Sequence, residues 1–308
     1  MRALTSPAAV PFNYWVQAAR LKFLPQGVLP VTIGGAAAFA AGVFNSAHFI
    51  IAFLAAAAVQ IGLTMFNDTL DFKYGTDRCT IDAKNPFSGG SGVLASGCIK
   101  PRQAMTVIVG LYLAALVAAI YFAVTVGVWS LGLAGVGAAI SILYSAKPFR
   151  LAYRGLGELA MLMGYGPVIT GWSYYVHTGS LTPEILLIGL IPGLSMWTMI
   201  IINEIPDYAE DRAAEKRNLT YRLGQQRAKN LFIISLGAIY VYIAVLIGTS
   251  VLPPAAALAF AGIPLAFSAA KAAHRHYLDP IKVAGANKYM VMVYSVTNLT
   301  VALGFLLR

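Results

Sequence analysis

The fold is decided by a stretch in which mostly apolar residues run directly into acidic ones. Residues 47–66 read AHFIIAFLAAAAVQIGLTMF, and residues 67–77 continue as NDTLDFKYGTD. A helix needs about 20 apolar residues to cross the roughly 30 Å hydrocarbon core of a bilayer. The stretch therefore predicts a transmembrane helix that carries an acidic cluster at one end.

The composition extends this interpretation to all 308 residues. Hydrophobic residues make up 58% of the chain and charged residues 11%, whereas a soluble domain is about a quarter charged. Nine apolar stretches have the length of a transmembrane helix: 25–44, 47–66, 104–125, 128–146, 157–178, 183–203, 230–250, 253–272 and 288–307. The predicted fold class is an all-α integral membrane protein, a bundle of nine transmembrane helices forming one membrane domain over residues 1–308.

The basic residues predict the orientation of these helices. With nine crossings, the N-terminus lies on the same side as the loops 67–103, 147–156, 204–229 and 273–287. Counting the adjoining helix ends, this side holds all 22 Lys and Arg residues except Arg308. The positive-inside rule places it in the cytoplasm. Since no transit peptide is recognisable, we expect a multi-pass protein of a prokaryotic cell (inner) membrane. The net charge of +10 is explained by this belt beside anionic lipids, and nucleic-acid binding is not expected.

Two acidic clusters close the second and sixth predicted helices. The second cluster, residues 203–211, reads NEIPDYAED. Residues three or four apart share a helical face, and those that do so are Asn67, Asp68 and Asp71 in the first cluster and Asn203, Asp207 and Asp211 in the second. Either cluster alone is compatible with solvated loop acids. Two such clusters, each opening with Asn at a helix end, favour a common site.

The chemistry of these clusters indicates a hard cation. Carboxylates crowded on one face repel each other and raise each other's pKa, unless a cation neutralises them. Oxygen ligands of this kind suit Mg²⁺, which proteins bind through a few carboxylates together with substrate phosphates. The sequence therefore predicts Mg²⁺ as the cofactor.

Basic residues that could hold a phosphate-bearing substrate lie on the same side. They are Arg20 and Lys22 before the first helix, Lys147 and Arg150 in the short segment YSAKPFR, Arg154 just after it, and Lys216, Arg217 and Arg222 after the second acidic cluster. Each is also explained as an anchor of the topology. The stretch 85–92, NPFSGGSG, lacks the Gly-Lys-Ser/Thr ending of a P-loop. We interpret it as a cap over the site, with a plain linker as the alternative.

On these residues the chain resembles the UbiA superfamily of membrane prenyltransferases. The first cluster is similar to that family's signature N-D-x-x-D-x-x-x-G-x-D, and the second to its D-x-x-x-D. The resemblance implies nine helices around a central cavity that opens to the cytoplasmic side. It also implies Mg²⁺-dependent transfer of a polyprenyl group from a prenyl diphosphate to an aromatic quinone precursor.

Within the superfamily, residues 71–77 and 211–219 look most like the 1,4-dihydroxy-2-naphthoate polyprenyltransferases of menaquinone synthesis. Two features depart from that pattern. Residues 204–206, Glu-Ile-Pro, stand where those enzymes more often have a second Asn and an Arg, and Glu215 replaces a frequent Gly. The departures weaken the acceptor assignment and leave the superfamily assignment in place.

The resemblance assigns roles residue by residue. The metal ligands it implies are Asp68, Asp71, Asp77, Asp207 and Asp211. The residues it implies for diphosphate binding are Arg20, Asn67, Lys147, Arg150 and Asn203. The catalytic residues it implies are Asp71, Lys147, Arg150 and Asp207.

The expected partners are a prenyl diphosphate, an aromatic acceptor and membrane lipid, and the sequence names no protein partner. The departing diphosphate needs cationic stabilisation, and the allylic cation left behind needs a dry pocket. Candidate lining residues are Phe66, Tyr144, Met161, Tyr165 and Trp197. Other acceptors remain open: 4-hydroxybenzoate, a chlorin or haem ring, homogentisate, or a glycerol phosphate lipid. A secondary transporter also remains open, although its acids usually lie near the bilayer midplane.

Overall fold

The computed structural model describes residues 10–75 and 85–307, and this part of the chain is all-helical. In chain order the α-helices are α1 Phe12–Ala19, α2 Leu24–Ala40, α3 Ser46–Tyr74, α4 Pro101–Thr125, α5 Trp129–Ser145, α6 Gly157–Met163, α7 Ile169–Thr178, α8 Pro183–Glu204, α9 Tyr208–Ala213, α10 Leu219–Leu223, α11 Gln225–Gly248, α12 Ile263–His276 and α13 Ala284–Leu306. A 3₁₀ segment, Pro254–Gly262, leads into α12.

Seven helical segments are long and apolar enough to cross a membrane. They are Phe12–Ala40, Ser46–Tyr74, Pro101–Thr125, Pro183–Glu204, Gln225–Gly248, Pro254–His276 and Ala284–Leu306. These segments confirm the predicted all-helical membrane class and seven of the nine predicted helices, counted over the described residues.

The fourth and fifth predicted helices are shorter or broken. Helix α5 is apolar but has 17 residues. The predicted stretch 157–178 consists of α6, a π-helical turn at Gly164–Val168, and α7. The break has a local cause, because Pro167 lacks the N–H that a continuous helix would use.

A close approach of two helices fixes the position of this break. Gly166 has non-helical backbone angles (φ −101°, ψ −109°). A Cβ at Gly166 would come within 2.7 Å of the Gly189 carbonyl oxygen and 2.9 Å of the Gly193 Cα, both on α8. Small residues let membrane helices approach to backbone contact in this way. The kinked segment is thereby locked against the helix that leads into the second acidic cluster.

The ends of the helices place the acidic clusters. The Asn45 side chain accepts a hydrogen bond from the His48 N–H at 3.1 Å and caps the start of α3. Gly75, with φ +80°, ends the same helix in a left-handed conformation. Asp71 therefore lies in the last turn of α3, while α8 ends at Glu204 inside the second cluster.

The largest part of the core lies where α2, α8, α11 and α13 pack together. Ile33, Met199, Phe232 and Tyr294 are among the side chains fully buried there. The Tyr294 hydroxyl donates to the backbone carbonyl of Gln26 at 2.9 Å, so its polar atom has a partner inside the apolar core. Helices α3, α4, α5 and α7 form a second, looser side of the bundle, which contains the cavity described below.

Candidate active site

The Gly/Ser-rich loop, residues 85–92, lies across both acidic clusters. The Ser91 N–H donates to the two carboxylate oxygens of Asp68 at 3.2 Å each, and the Ser91 hydroxyl donates to the same carboxylate. Two residues earlier, the Gly89 N–H donates to Asp207 Oδ2 at 2.9 Å. The loop thus joins an acid of the first cluster to an acid of the second. These contacts favour the cap over the linker.

The two basic residues before α2 hold this loop. Arg20 Nη1 donates to the Gly89 carbonyl oxygen at 2.5 Å, and Lys22 Nζ donates to the carbonyl oxygen of Pro86. The backbone of Arg20 is left-handed (φ +45°) and separates α1 from the rest of the first membrane segment. Arg20 thus contacts the loop, and its charge also interacts with the carboxylates of Asp68 and Asp207.

A lysine joins the two clusters directly. Lys216 Nζ lies 3.5 Å from Asp71 Oδ2 and 3.6 Å from Asp211 Oδ1. The other oxygen of Asp71 accepts a hydrogen bond from the Tyr153 hydroxyl at 2.8 Å. Asp211 Oδ2 accepts one from Asn218 Nδ2 at 2.6 Å. Two carboxylates that are far apart in the sequence are therefore brought to one cation.

Lys147 and Arg150 lie beside the first cluster, with their charges on aromatic rings. The Arg150 guanidinium carbon is 3.4 Å from the ring centre of Tyr153 and 4.3 Å from that of Tyr74, and Lys147 Nζ is 5.5 Å from the Tyr74 ring. Arg150 Nε is buried and has no hydrogen-bond partner. A buried donor without a partner is what an incoming anion can satisfy.

The two asparagines that open the clusters are held by residues of other helices. Asn67 Oδ1 accepts a hydrogen bond from the Ser145 hydroxyl at 2.7 Å, which ties α3 to the end of α5. Asn203 Oδ1 accepts one from Asn287 Nδ2 at 2.8 Å, and Asn287 Nδ2 also donates to the Ile202 carbonyl oxygen at 3.1 Å. Asp77, the remaining predicted ligand, lies outside the described residues.

Four contact residues were not singled out by the sequence reasoning: Ser91, Tyr153, Asn218 and Asn287. Ser91 falls in the stretch 85–92 that the sequence analysis interpreted as a cap, so the stretch was predicted and the residue was not. Asn287 falls in the predicted loop 273–287, and only the structure shows it as a fully buried amide in α13. Tyr153 and Asn218 lie in loops or short helices, where polar residues are common and their contacts depend on the fold.

Replacing Asn287 on α13 by Ala is expected to lower the thermal stability of the protein. The change leaves the Asn203 oxygen and the Ile202 carbonyl without this donor, and each unsatisfied buried group costs about 1–3 kcal/mol. We expect a clear fall in the thermal midpoint of the protein in detergent. Asn298→Ala is the matched control, because Asn298 is equally buried on α13 and donates to the Tyr294 carbonyl of its own helix. An equal fall in both variants would contradict this role of Asn287.

Burial dominates the electrostatics of the second cluster. It raises the pKa of Asp211 to about 7, with Lys216 lowering it and Asp207 and Asp71 raising it further. Burial likewise raises the pKa of Asp207, against the lowering effect of Lys216. Burial also lowers the pKa of Lys216, but Asp211 and Asp71 outweigh it and hold that pKa well above its ordinary value. Burial thus disfavours the charged forms of Asp207 and Asp211, and the charge of Lys216 partly offsets this effect.

The donor set fits a hard divalent cation bound together with a phosphate. It consists of carboxylate and amide oxygens, the ligands that Mg²⁺ prefers. Within the described residues, no three Asp, Glu, His or Cys side chains lie close enough to hold a metal ion among them.

Metal binding is expected to weaken as the pH falls through 7. A carboxylate must lose its proton to bind a cation, and Asp211, with a pKa of about 7, is increasingly protonated below that pH. The dissociation constant for Mg²⁺ should therefore rise by up to about tenfold per pH unit below 7 and level off above about pH 8. Isothermal calorimetry in two buffers of different ionisation enthalpy measures both the affinity and the proton released. An affinity that stays constant from about pH 6 to pH 8 would contradict the role of Asp211.

An apolar cavity of about 210 Å³ begins about two turns deeper in the bundle. It follows α3 from Leu63 to Ala55 and is also lined by small residues of α4 and α5, including Ala119 and Ala138. Two of the five predicted lining residues, Met161 and Tyr165, border it, and Phe66, Tyr144 and Trp197 are not among its lining residues.

Four polar side chains in the cavity wall are paired with each other, whereas the buried indole Nε1 of Trp172 has no hydrogen-bond partner. The Tyr165 hydroxyl donates to Gln60 Oε1 at 2.6 Å, and the hydroxyls of Tyr112 and Ser141 share a hydrogen bond. The wall therefore presents a mostly apolar surface, which suits a hydrocarbon chain.

Comparison with known proteins agrees with this geometry. The UbiA prenyltransferase family matches residues 28–292. The chain is 23% identical to the 2-carboxy-1,4-naphthoquinone phytyltransferase of Synechocystis sp. (strain ATCC 27184 / PCC 6803 / Kazusa) over 97% of this chain and 95% of that protein. It is 30% identical to the 1,4-dihydroxy-2-naphthoate octaprenyltransferase of Escherichia coli (strain K12) over 70% of each chain.

The fold also matches a solved structure. A UbiA homolog from Archaeoglobus fulgidus bound to GPP and Mg²⁺ superposes with a TM-score of 0.64 at 16% identity, over 95% of this chain and 98% of that one. The family match covers most of the chain, including both acidic clusters of the site. This protein belongs to the UbiA prenyltransferase family and is a membrane prenyltransferase.

Proposed function

We propose that this enzyme transfers a polyprenyl group from its diphosphate to 1,4-dihydroxy-2-naphthoate, with Mg²⁺ held between the two acidic clusters. The observation that carries the proposal is the meeting of Asp71 and Asp211, one from each cluster, at the ammonium group of Lys216. That point lies at the polar end of the bundle, with an apolar cavity deeper inside. A diphosphate and its hydrocarbon chain need this combination of environments.

The proposed metal ligands are Asp68, Asp71, Asp77, Asp207 and Asp211. When bound, Mg²⁺ would neutralise the charge that develops on the departing diphosphate. The residues proposed to bind the diphosphate are Arg20, Asn67, Lys147, Arg150 and Asn203. Of these, Arg150 has a buried Nε without a partner, and turning it from the Tyr153 ring to a phosphate oxygen would satisfy that donor.

The cavity is proposed to hold the prenyl chain and to keep water from the allylic cation. Breaking the allylic C–O bond leaves a carbocation at the end of the chain, which must meet the acceptor ring before it meets water. In the wall of the cavity Gln60 is bonded to Tyr165 and Ser141 to Tyr112, while the buried Nε1 of Trp172 is without a partner. The diphosphate leaves with the electron pair of the C–O bond, the ring forms the new C–C bond through the carbon that bears its carboxylate, and CO₂ leaves so that the ring is aromatic again.

The proposed acceptor is based on the names of the two relatives. Both relatives described above are named for a naphthalene-ring substrate that carries a carboxyl group. Membership of a prenyltransferase family decides against the transporter interpretation.

The membrane arrangement is proposed to have nine crossings with the acidic clusters at the cytoplasmic face. Seven segments are long enough by themselves. We infer that α5 and the kinked segment α6–α7 supply the other two, because α5 is apolar and the two segments follow each other between α4 and α8. The one-sided distribution of Lys and Arg supports the orientation.

A product assay tests the proposed reaction. Purified protein is given Mg²⁺, geranylgeranyl diphosphate, and equal amounts of 1,4-dihydroxy-2-naphthoate and 4-hydroxybenzoate, and the products are identified by mass spectrometry. We expect a prenylated, decarboxylated naphthoquinol. A prenylated hydroxybenzoate as the main product would overturn the acceptor and keep the enzyme class.

A further inference from the structure

Lys216 occupies the place between the two acidic clusters where a bound cation would be needed. Its side chain is 16% exposed, and the carboxylates of Asp71 and Asp211 that it contacts are 9% and 4% exposed. Both carboxylates also accept a hydrogen bond from a neutral donor, Tyr153 and Asn218 respectively. The lysine is thus one member of a closed network that spans both clusters.

The turn that positions Lys216 contains a residue with an unfavourable backbone conformation. The N–H of Lys216 donates to the Asp211 carbonyl oxygen at 2.8 Å, and the N–H of Glu215 donates to that of Arg212 at 3.3 Å. These two bonds form a Schellman motif at the end of α9, whose left-handed position is usually filled by Gly. Here it is Glu215, with φ +53°, a conformation that is unfavourable for a non-glycine residue. The motif returns the chain so that the Lys216 side chain lies next to the Asp211 carboxylate.

We propose that Lys216 is an internal counter-ion, which neutralises the site before substrate arrives and moves to the diphosphate when the metal enters. This inference rests on the proposed function, in which Asp71 and Asp211 bind Mg²⁺. A divalent cation on these two carboxylates cannot share the space with the ammonium group, so one displaces the other. The displaced group has a flexible four-carbon stem and three donors, and the diphosphate brought by the metal is the anion nearest to it.

The proposed exchange predicts that replacing Lys216 raises the affinity for the metal and lowers the affinity for the diphosphate. Without diphosphate, Lys216 competes with the metal, so Lys216→Met should bind Mn²⁺, used as a probe for the Mg²⁺ site, at least about fivefold more tightly than the wild type. With metal saturating, the same variant lacks a diphosphate ligand and should bind geranylgeranyl diphosphate at least about fivefold more weakly. A lysine that only braced the fold would shift both affinities in one direction or neither.

The test uses purified full-length protein in detergent. Electron paramagnetic resonance measures free and bound Mn²⁺ without diphosphate, and calorimetry measures geranylgeranyl diphosphate binding at saturating Mn²⁺ without acceptor. Lys216→Arg keeps the charge and should restore weak metal binding. Lys229→Met is the matched control, because Lys229 is also buried, with its charge 4.8 Å from the Tyr277 ring. If Lys216→Met does not fold, Lys216→Gln replaces it in the same two measurements.

Tighter Mn²⁺ binding together with weaker diphosphate binding in Lys216→Met, and neither change in Lys229→Met, is the expected result. Unchanged or weaker Mn²⁺ binding would contradict the role of Lys216 as an internal counter-ion. Unchanged diphosphate binding would contradict its movement to the diphosphate. Failure of the proposed function itself would look different, because wild-type protein would then show no metal-dependent binding of the diphosphate.

Discussion

Asp71→Asn is expected to lower turnover by at least about 100-fold while the protein stays folded. Asp71 joins the Tyr153 hydroxyl to the Lys216 ammonium, and it is the proposed ligand through which the first cluster reaches the metal. The amide keeps an acceptor for Tyr153 but removes the charge. Loss of one preorganised electrostatic contact to a developing charge costs about 10²–10³ in kcat.

The measurement is kcat for prenyl transfer at saturating Mg²⁺, with gel filtration and thermal unfolding in detergent as the check on folding. Asp207→Asn, in the second cluster, should behave in the same way. Glu184→Gln is the matched control, since it removes one exposed carboxylate in the first turn of α8. The second cluster lies at the opposite end of that helix. Wild-type turnover in both aspartate variants would show that the clusters are not the site.

Ala138→Phe is expected to lower kcat/KM for long prenyl diphosphates much more than for short ones. Ala138 lines the cavity on α5, so a phenyl ring there fills space that we assign to the prenyl chain. Overpacking costs about 1–3 kcal/mol, or roughly 5- to 150-fold in a rate constant. We expect kcat/KM for geranylgeranyl diphosphate to fall by at least about tenfold, and that for dimethylallyl diphosphate to change much less.

The neighbouring residue provides the control for this experiment. Ala139 is exposed on the same helix and does not line the cavity, so Ala139→Phe adds the same ring outside. Its kcat/KM values should stay close to those of the wild type for both substrates. An equal loss for short and long substrates in Ala138→Phe would place the prenyl chain elsewhere.

The helices and acidic clusters could be predicted because both leave local signals. An apolar run of bilayer length predicts a helix wherever it occurs, and α8, Pro183–Glu204, ends within one residue of its prediction at 183–203. The break at Gly166 depends on how closely α8 approaches as well as on Pro167, and Pro192 lies inside the unbroken helix α8, so a proline alone did not predict it. Length alone therefore predicted a continuous fifth helix where the structure has two helices and a π-helical turn.

The residues that contact the aspartates of the two clusters were harder to predict than the aspartates themselves. Lys216 stood among several basic residues equally explained as topology anchors, and only the structure distinguishes it by its contact with both clusters. Glu215 was noticed as a departure from a frequent Gly, and its left-handed backbone now gives the physical reason why Gly is common there. Tyr153 and Asn218 belong to short segments with no pattern of their own.

Metal-dependent binding of an unreactive substrate analogue tests most directly whether the two clusters act together on one diphosphate. Calorimetry with geranylgeranyl thiolodiphosphate would be carried out on the wild type, Asp71→Asn and Asp207→Asn, each with Mg²⁺ and with EDTA. We expect tight binding only in the wild type with Mg²⁺, and weak binding in both variants under either condition. Equal binding by all three proteins with EDTA and with Mg²⁺ would contradict a shared metal–diphosphate site.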